Sequence, residues 1–424
     1  MSKEQAEKMG FNATWSMAVG GMVGGGIFSV IGVVISTSGR WAWLSFVIAG
    51  LVALLTGYSY IALAKRFGEG GGAFTFLRHE NMPNFAGSLS WVLILGYVLT
   101  ISVYAFTFGH YLSHVMGLGE VASRIAAISI VAVLVAVNLR GVGDASWVEI
   151  VTVWGKLAVL LGLGIIGIVH FSPDQIAYDD AKPGGLIGAL VGAASVFMAY
   201  EGFQLLTYDY EDIEDPNKTL PRAVLSAIIV VIGIYVLVSL ATASLVGAGT
   251  IVEHEEVALA IAGRNALGTA GEVIVTIAAA FSTASAINAT LFATARLTRR
   301  VAEDGELPKM FSQTTDAGVP TFAIIVLGVG GASLAVLGSL SDLVEAASLT
   351  FLFTFTTVNL LAVHKSEGWK RAIHIAGSAL AAAATITLIY RIATHEAYVL
   401  AVLLGVGVVA AVVPRLLSSD EDSD

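Results

Sequence analysis

Two ionisable side chains stand where water is scarce. Lys156 and Glu201 each lie inside a long apolar run. A charge in hydrocarbon is costly, so each is a functional candidate. Lys156 is ten residues into the run 147–170, about 14 Å along a helix, near the bilayer midplane. An amine there can carry a proton, or serve as a structural ammonium bonded to carbonyls. Glu201 can meet a cationic side chain, titrate, or snorkel into a water-filled vestibule. Two backbone weak points accompany them: Gly20-Gly21-Met22-Val23-Gly24-Gly25-Gly26-Ile27-Phe28 and Phe197-Met198-Ala199-Tyr200-Glu201-Gly202-Phe203-Gln204. Glycine in a helix interior costs about 1 kcal/mol relative to alanine. Three in a row mark either a small-residue packing face or a break in the helix. A break exposes backbone N–H groups at a half-helix N-terminus, where the dipole also favours an anion. The N–H groups around Gly24, Gly25, Gly26 and Ile27 could hold a carboxylate. Phe203 could close over such a ligand or belong to the core, and Tyr200 would line the pocket. His110 and His114 are four apart on one helix face, a metal-binding spacing, but no third ligand is near in sequence and an interfacial pair is the better reading.

The elements that position these groups follow from composition. Of 424 residues, 56% are apolar and 13% charged, about half the charged share of a soluble globular protein. The runs 11–39, 41–64, 223–252, 273–295, 317–341, 346–364, 372–390 and 397–414 hold no Asp, Glu, Lys or Arg. A membrane helix needs about 20 such residues, and a buried soluble helix rarely exceeds about 14. The chain reads as an all-α polytopic membrane protein. A net charge of −10 without a basic stripe argues against nucleic-acid binding. The absence of cysteine excludes disulfides, thiolate metal sites and thiol catalysis. Catalysis would need His, Asp or Glu clustered within the spans, and only Lys156 and Glu201 lie deep, so no enzyme is expected. Neither a cleavable signal peptide nor a sizeable soluble domain stands out.

Hydropathy predicts twelve spans, at about 11–39, 41–64, 86–116, 125–139, 147–170, 186–210, 223–247, 273–295, 320–338, 346–363, 372–390 and 397–414. With the N-terminus inside, 16 of the 22 basic residues fall on the cytoplasmic side and 5 outside, Lys156 being within a span. That is the positive-inside bias, and it puts both termini in the cytoplasm. Residues 1–10 then form a cytoplasmic N-terminus, 11–364 a ten-span core, 365–414 two further spans and 415–424 an acidic tail. The weak points fall in spans 1 and 6. Five spans per half is odd, so the second half enters from the opposite side. This is the arithmetic of an inverted repeat, about 11–172 and 186–364, with one broken helix in each half.

Three ordered segments resemble the amino acid–polyamine–organocation superfamily, in particular its prokaryotic amino acid permeases. Gly21-Met22-Val23-Gly24-Gly25-Gly26-Ile27-Phe28 is similar to the family's GxGIF segment. Phe197 to Gln204, with the loop Tyr208 to Ala223 (Asp215-Pro216-Asn217-Lys218-Thr219-Leu220-Pro221-Arg222-Ala223), resembles its sixth helix and acidic exit loop. Ser285 to Arg296, then Ala302-Glu303-Asp304-Gly305-Glu306-Leu307-Pro308, resembles its eighth helix and following loop. Two departures are Phe74 and Phe76 where the family often has tyrosines, and Asp215 for the usual asparagine before Pro216. The resemblance implies an amino acid carrier of inverted-repeat fold working by alternating access. It implies that carbonyls around Met22, Met198, Ala199 and Glu201 accept from a substrate ammonium. Sodium-coupled relatives hold a cation between spans 1 and 8, whereas some proton-coupled members place a span 5 lysine there. Lys156 matches that position, with Ser282 and Ser285 as hydroxyl neighbours. The expected activity is proton-coupled uptake, with an amino acid or amine exchanger and a sodium symporter as alternatives. No cofactor and no metal is expected, the coupling ion being H⁺. The expected partners are an amino acid and membrane lipid, and the oligomeric state is open.

Overall fold

The computed structural model describes residues 8–140, 146–178, 180–316, 318–395 and 397–401, with 403 and 405. These residues form helices and connecting turns. They run α1 Phe11–Met22, α2 Gly26–Ser38, α3 Ala42–Phe67, α4 Gly72–His79, α5 Pro83–Val115, α6 Glu120–Leu139, α7 Ser146–Val169, α8 Pro173–Ile176, α9 Gly185–Ser195, α10 Pro216–Val246, α11 Ala248–Glu253, α12 Ala258–Glu303, α13 Thr321–Leu337, α14 Leu340–His364 and α15 Gly368–His395. Eight stretches among the described residues are long and apolar enough to cross a membrane. The chain is a multi-pass membrane protein. Helices lie over each of the expected spans 1 to 11. The twelfth, 397–414, falls mostly outside the described residues, as do most of residues 1–10 and the tail 415–424.

Hydropathy marked the apolar runs but missed the helices that lie between them. α4 is amphipathic and starts after Gly71, whose φ of 124° only glycine adopts comfortably. α12 begins fifteen residues before the expected span 8. Leu267 and Gly268 leave helical geometry inside it, Gly268 at φ 65°, so a separate outer segment precedes the span proper. Pro221 falls inside α10 because that helix starts at Pro216, ahead of the apolar run.

The long α5 packs against α6, α12, α13 and α14, while α10 packs against α1, α3 and α7. α1, α2 and α9 sit between these groups, so both weak points are enclosed. α6 and α7 turn Val121, Ile125, Ile128, Val133, Val151, Ile165 and Val169 outward. Helices apolar on all faces are at home only where lipid replaces water.

Candidate functional site: two broken helices bridged by Lys156, Tyr235 and Ser282

The first break follows the glycine run: α1 ends at Met22 and α2 begins at Gly26. A helix end leaves its last four carbonyls without intrahelical partners, and buried carbonyls need donors. All four are met. Val23 N–H reaches the Val19 carbonyl at 2.8 Å and Gly24 N–H the Gly21 carbonyl at 3.3 Å. Lys156 Nζ donates to the Gly20 carbonyl at 3.1 Å. The Tyr235 hydroxyl lies 2.7 Å from the Met22 carbonyl. The Ser282 hydroxyl lies 2.8 Å from the Val23 carbonyl and also touches that of Gly24, so its single proton is shared between the two. Ser29 closes the Gly25 carbonyl with its N–H at 3.1 Å and its hydroxyl at 2.8 Å.

The second break follows α9. Residues 197–200 and 203–207 are tight turns flanking an extended Glu201 and a Gly202 at φ 124°. Ser348 Oγ donates to the Ser195 carbonyl at 2.7 Å and accepts from Met198 N–H at 3.0 Å, one bond of each kind. The Met198 carbonyl takes Glu201 N–H at 3.0 Å. The Ala199 carbonyl lies 2.8 Å from the Tyr235 hydroxyl. A hydroxyl has one proton, so Tyr235 serves Met22 or Ala199 at a given moment and links the two breaks.

The breaks touch through glycine. A Cβ on Gly21 would stand 2.9 Å from Gly202 Cα, and one on Gly202 2.7 Å from Gly21 Cα. On Gly25 it would stand 2.1 Å from the Tyr104 ring, on Gly26 2.9 Å from Ala199 Cα, and on Gly24 2.6 Å from the Ala286 methyl. The glycine run therefore serves both readings at once, as a packing face and as a break. Gly26 and Ile27 open α2, so their N–H groups have no carbonyl one turn back, and Gly25 supplies no side-chain cap.

A cavity of about 500 Å³ reaches the breaks, within the roughly 300–1,000 Å³ of small-molecule sites. Gly20, Gly21, Glu201 and Ser285 line its inner part, and Asp209, Arg296 and Glu303 its outer part. Glu201 is 1% exposed and Lys156 3%. Glu201 Oε1 accepts from Gln204 Nε2 at 2.7 Å, while the same amide nitrogen reaches the Tyr97 hydroxyl at 3.3 Å. Gln204 Oε1 accepts from Gly202 N–H at 2.9 Å, and Tyr97 meets the Tyr208 hydroxyl at 3.3 Å. Tyr208 returns to the cavity wall.

The structure does not bring all the candidates to this cavity. Tyr200 is fully buried and gives its hydroxyl to the Phe46 carbonyl at 2.7 Å. The Phe203 ring packs on Tyr60 and Phe355, at 6.2 and 5.5 Å between centroids. Met22 and Ala199 carbonyls converge on Tyr235, which the sequence reading did not single out. Its signal was a polar-tipped aromatic within the span 7 run, but only helix facing distinguishes it from a core tyrosine. Gln204 and Ser348 went unassigned for the same reason. His110 and His114 part company, His110 to Glu120 at 3.4 Å and His114 to Glu272 at 3.2 Å. Among the described residues no three His, Asp or Glu side chains stand together as a metal site.

A bundle of apolar helices with two breaks around a polar cavity fits a membrane carrier. The family model described as Amino acid permease matches residues 9–415. The chain is 30% identical to the inner membrane transport protein YbaT of Escherichia coli, covering 82% of this chain and 81% of that protein. It is 26% identical to a methylthioribose transporter of Bacillus subtilis, over 83% of this chain and 80% of the relative. With the serine/threonine exchanger SteT of Bacillus subtilis the identity is 25%, over 87% and 86%. The chain belongs to the amino acid permease family.

Proposed function

We propose that the protein imports amino acids across the cell membrane by alternating access, with proton movement driving uptake. In this reading the chain has twelve spans, a five-plus-five inverted repeat and both termini in the cytoplasm. The Lys156 ammonium bonded to the Gly20 carbonyl carries the proposal. A cation coupled to transport must hold the broken helix in one state and release it in another. Lys156 grips a carbonyl of the first break, and its proton is the charge that would come and go. Ser282 holds the adjoining carbonyls. The substrate carboxylate is assigned to the N–H groups around Gly24, Gly25, Gly26 and Ile27, of which Gly24 N–H is turned to the Gly21 carbonyl. Its ammonium competes with Tyr235 for the Met22 and Ala199 carbonyls, and Glu201 faces the rest of the substrate from the cavity wall. The relatives' substrates differ, methylthioribose for one and serine and threonine for another, so the amino acid carried is left to assay.

Uptake of a radiolabelled amino acid panel into proteoliposomes under an imposed pH gradient, with and without sodium, tests this beside Lys156→Ala. The expected result is accumulation that follows the proton gradient, ignores sodium and falls at least tenfold in the variant, the scale of losing one charge-assisted bond. Sodium dependence, or a variant still driven by the gradient, overturns the role of Lys156. SteT is named an exchanger, which favours exchange as the second reading. Counterflow against a preloaded amino acid without net uptake would select it.

A further inference from the structure

A second cavity, of about 870 Å³, opens where α3 and α14 end and α15 begins. It shares no lining residue with the cavity at the breaks. Four cationic side chains line it, Lys65, Arg66, Lys365 and Lys370, against one acid, Glu367. Lys365 is held by Glu80 at 2.5 Å, and Arg66 donates to the Lys365 carbonyl at 3.3 Å. Lys65 and Lys370 are exposed and make no ion pair among the described residues. Like charges gathered around a concavity are unfavourable unless an anion joins them.

The inner wall adds a second observation. His374 is fully buried, and its Nε2 has no hydrogen-bond partner. Its Nδ1 lies 2.7 Å from Ser59 Oγ, and Ser59 Oγ lies 2.6 Å from Asn359 Oδ1. Asn359 Nδ2 is spent on Thr56 at 2.9 Å, so Asn359 Oδ1 is an acceptor and takes the single Ser59 proton. His374 then donates from Nδ1, and Nε2 is left as an unmet acceptor on a side chain that lines the cationic cavity. A ligand that satisfies both features carries an anion for the lysines and a hydroxyl for Nε2. The position adds a third observation. The cavity lies at helix ends of a membrane protein, beside Trp369, which is 68% exposed. Tryptophan at span ends marks headgroup depth, and basic pockets between spans take anionic headgroups.

We propose that this cavity binds the headgroup of an anionic, hydroxyl-bearing phospholipid of the phosphatidylglycerol type, with Lys65 and Lys370 on the phosphate and His374 Nε2 on the headgroup hydroxyl. The site is separate from the transport reading and its test does not use transport. The full chain, delipidated in detergent, is titrated with phosphatidylglycerol or phosphatidylcholine and bound lipid is counted by native mass spectrometry. The expected result is preferential retention of phosphatidylglycerol, reduced at least about tenfold in Lys65→Gln/Lys370→Gln. The outer-end pair Arg40→Gln/Lys182→Gln is expected to leave the preference unchanged. Both double variants change exposed side chains, so their melting temperatures should match the parent. Equal retention of the two lipids, or a preference that survives the lysine variant, overturns the site. Displacement of the lipid by free sn-glycerol phosphate would reassign the same phosphate chemistry to a soluble ligand and overturn the lipid.

Discussion

Lys156 is more than an isolated charge in a span. Each carbonyl from Val19 to Gly25 has a donor within reach, and three side chains from distant helices (Lys156, Tyr235 and Ser282) offer what the backbone cannot, Tyr235 and Ser282 each with one proton between two carbonyls. Ser282→Ala removes the one proton that the buried Val23 and Gly24 carbonyls share. A buried unmet polar group costs about 1–3 kcal/mol, so a drop of several degrees in melting temperature is expected in detergent. Tyr235→Phe removes the one hydroxyl common to both breaks. If the substrate ammonium competes for its two carbonyls, the variant should bind substrate at least as tightly while losing thermal stability without it. Equilibrium binding and unfolding with and without substrate separate these two effects. At this scale the sequence singled out Lys156 and the glycines, because charge in an apolar run and consecutive glycines are visible along the chain, whereas Ser282 came from the family resemblance. Tyr235 and Gln204 were not visible, because a polar group on an apolar helix reveals its partner only through facing.

Contact between the two broken elements is made by backbone against backbone. Gly202 combines a φ of 124° with a Cβ position under 3 Å from Gly21. Alanine there meets both a conformational and a steric penalty, whereas at Gly21 the penalty is steric alone. Overpacking of this kind costs about 1–3 kcal/mol. Gly202→Ala is therefore expected to lower expression and melting temperature more than Gly21→Ala, with transport lost in both. Gly233→Ala, where nothing crowds a Cβ, is the control and should be silent in both assays. The breaks were legible in the sequence as glycine-rich weak points, but the side each glycine presents was not. α4 and the outer segment of α12 were not anticipated, since their apolar stretches are far shorter than a membrane span and such short helices form through packing.

Across the whole molecule, the cavity reaching Glu201 extends to the exposed Arg296 and Glu303, and Met9, which pairs with the loop after the second break, lines it too. Met9 N–H reaches the Asp212 carbonyl at 2.8 Å, and Glu214 N–H the Met9 carbonyl at 2.9 Å. This is the cytoplasmic end in the proposed orientation. The chain has no cysteine, so Ser285→Cys supplies a single thiol on the cavity wall. A membrane-impermeant maleimide should label it in inside-out vesicles and spare it in right-side-out ones, with substrate slowing the reaction. Labelling from the outer side alone would reverse the orientation.

The sequence by itself determined the membrane class, the order of the apolar helices, the two weak points and the single lysine at depth. Each of these is a local property, set by composition within about twenty residues. The tertiary structure decided that the Tyr200 hydroxyl meets the Phe46 carbonyl and the Phe203 ring packs on Tyr60 and Phe355, that Tyr235 ties the breaks together, and that Glu201 rests on Gln204. It also gathered lysines from three helix ends around His374. Those outcomes depend on which face each helix turns to its neighbours. A helix apolar on every side carries no periodic signal from which that facing could be read.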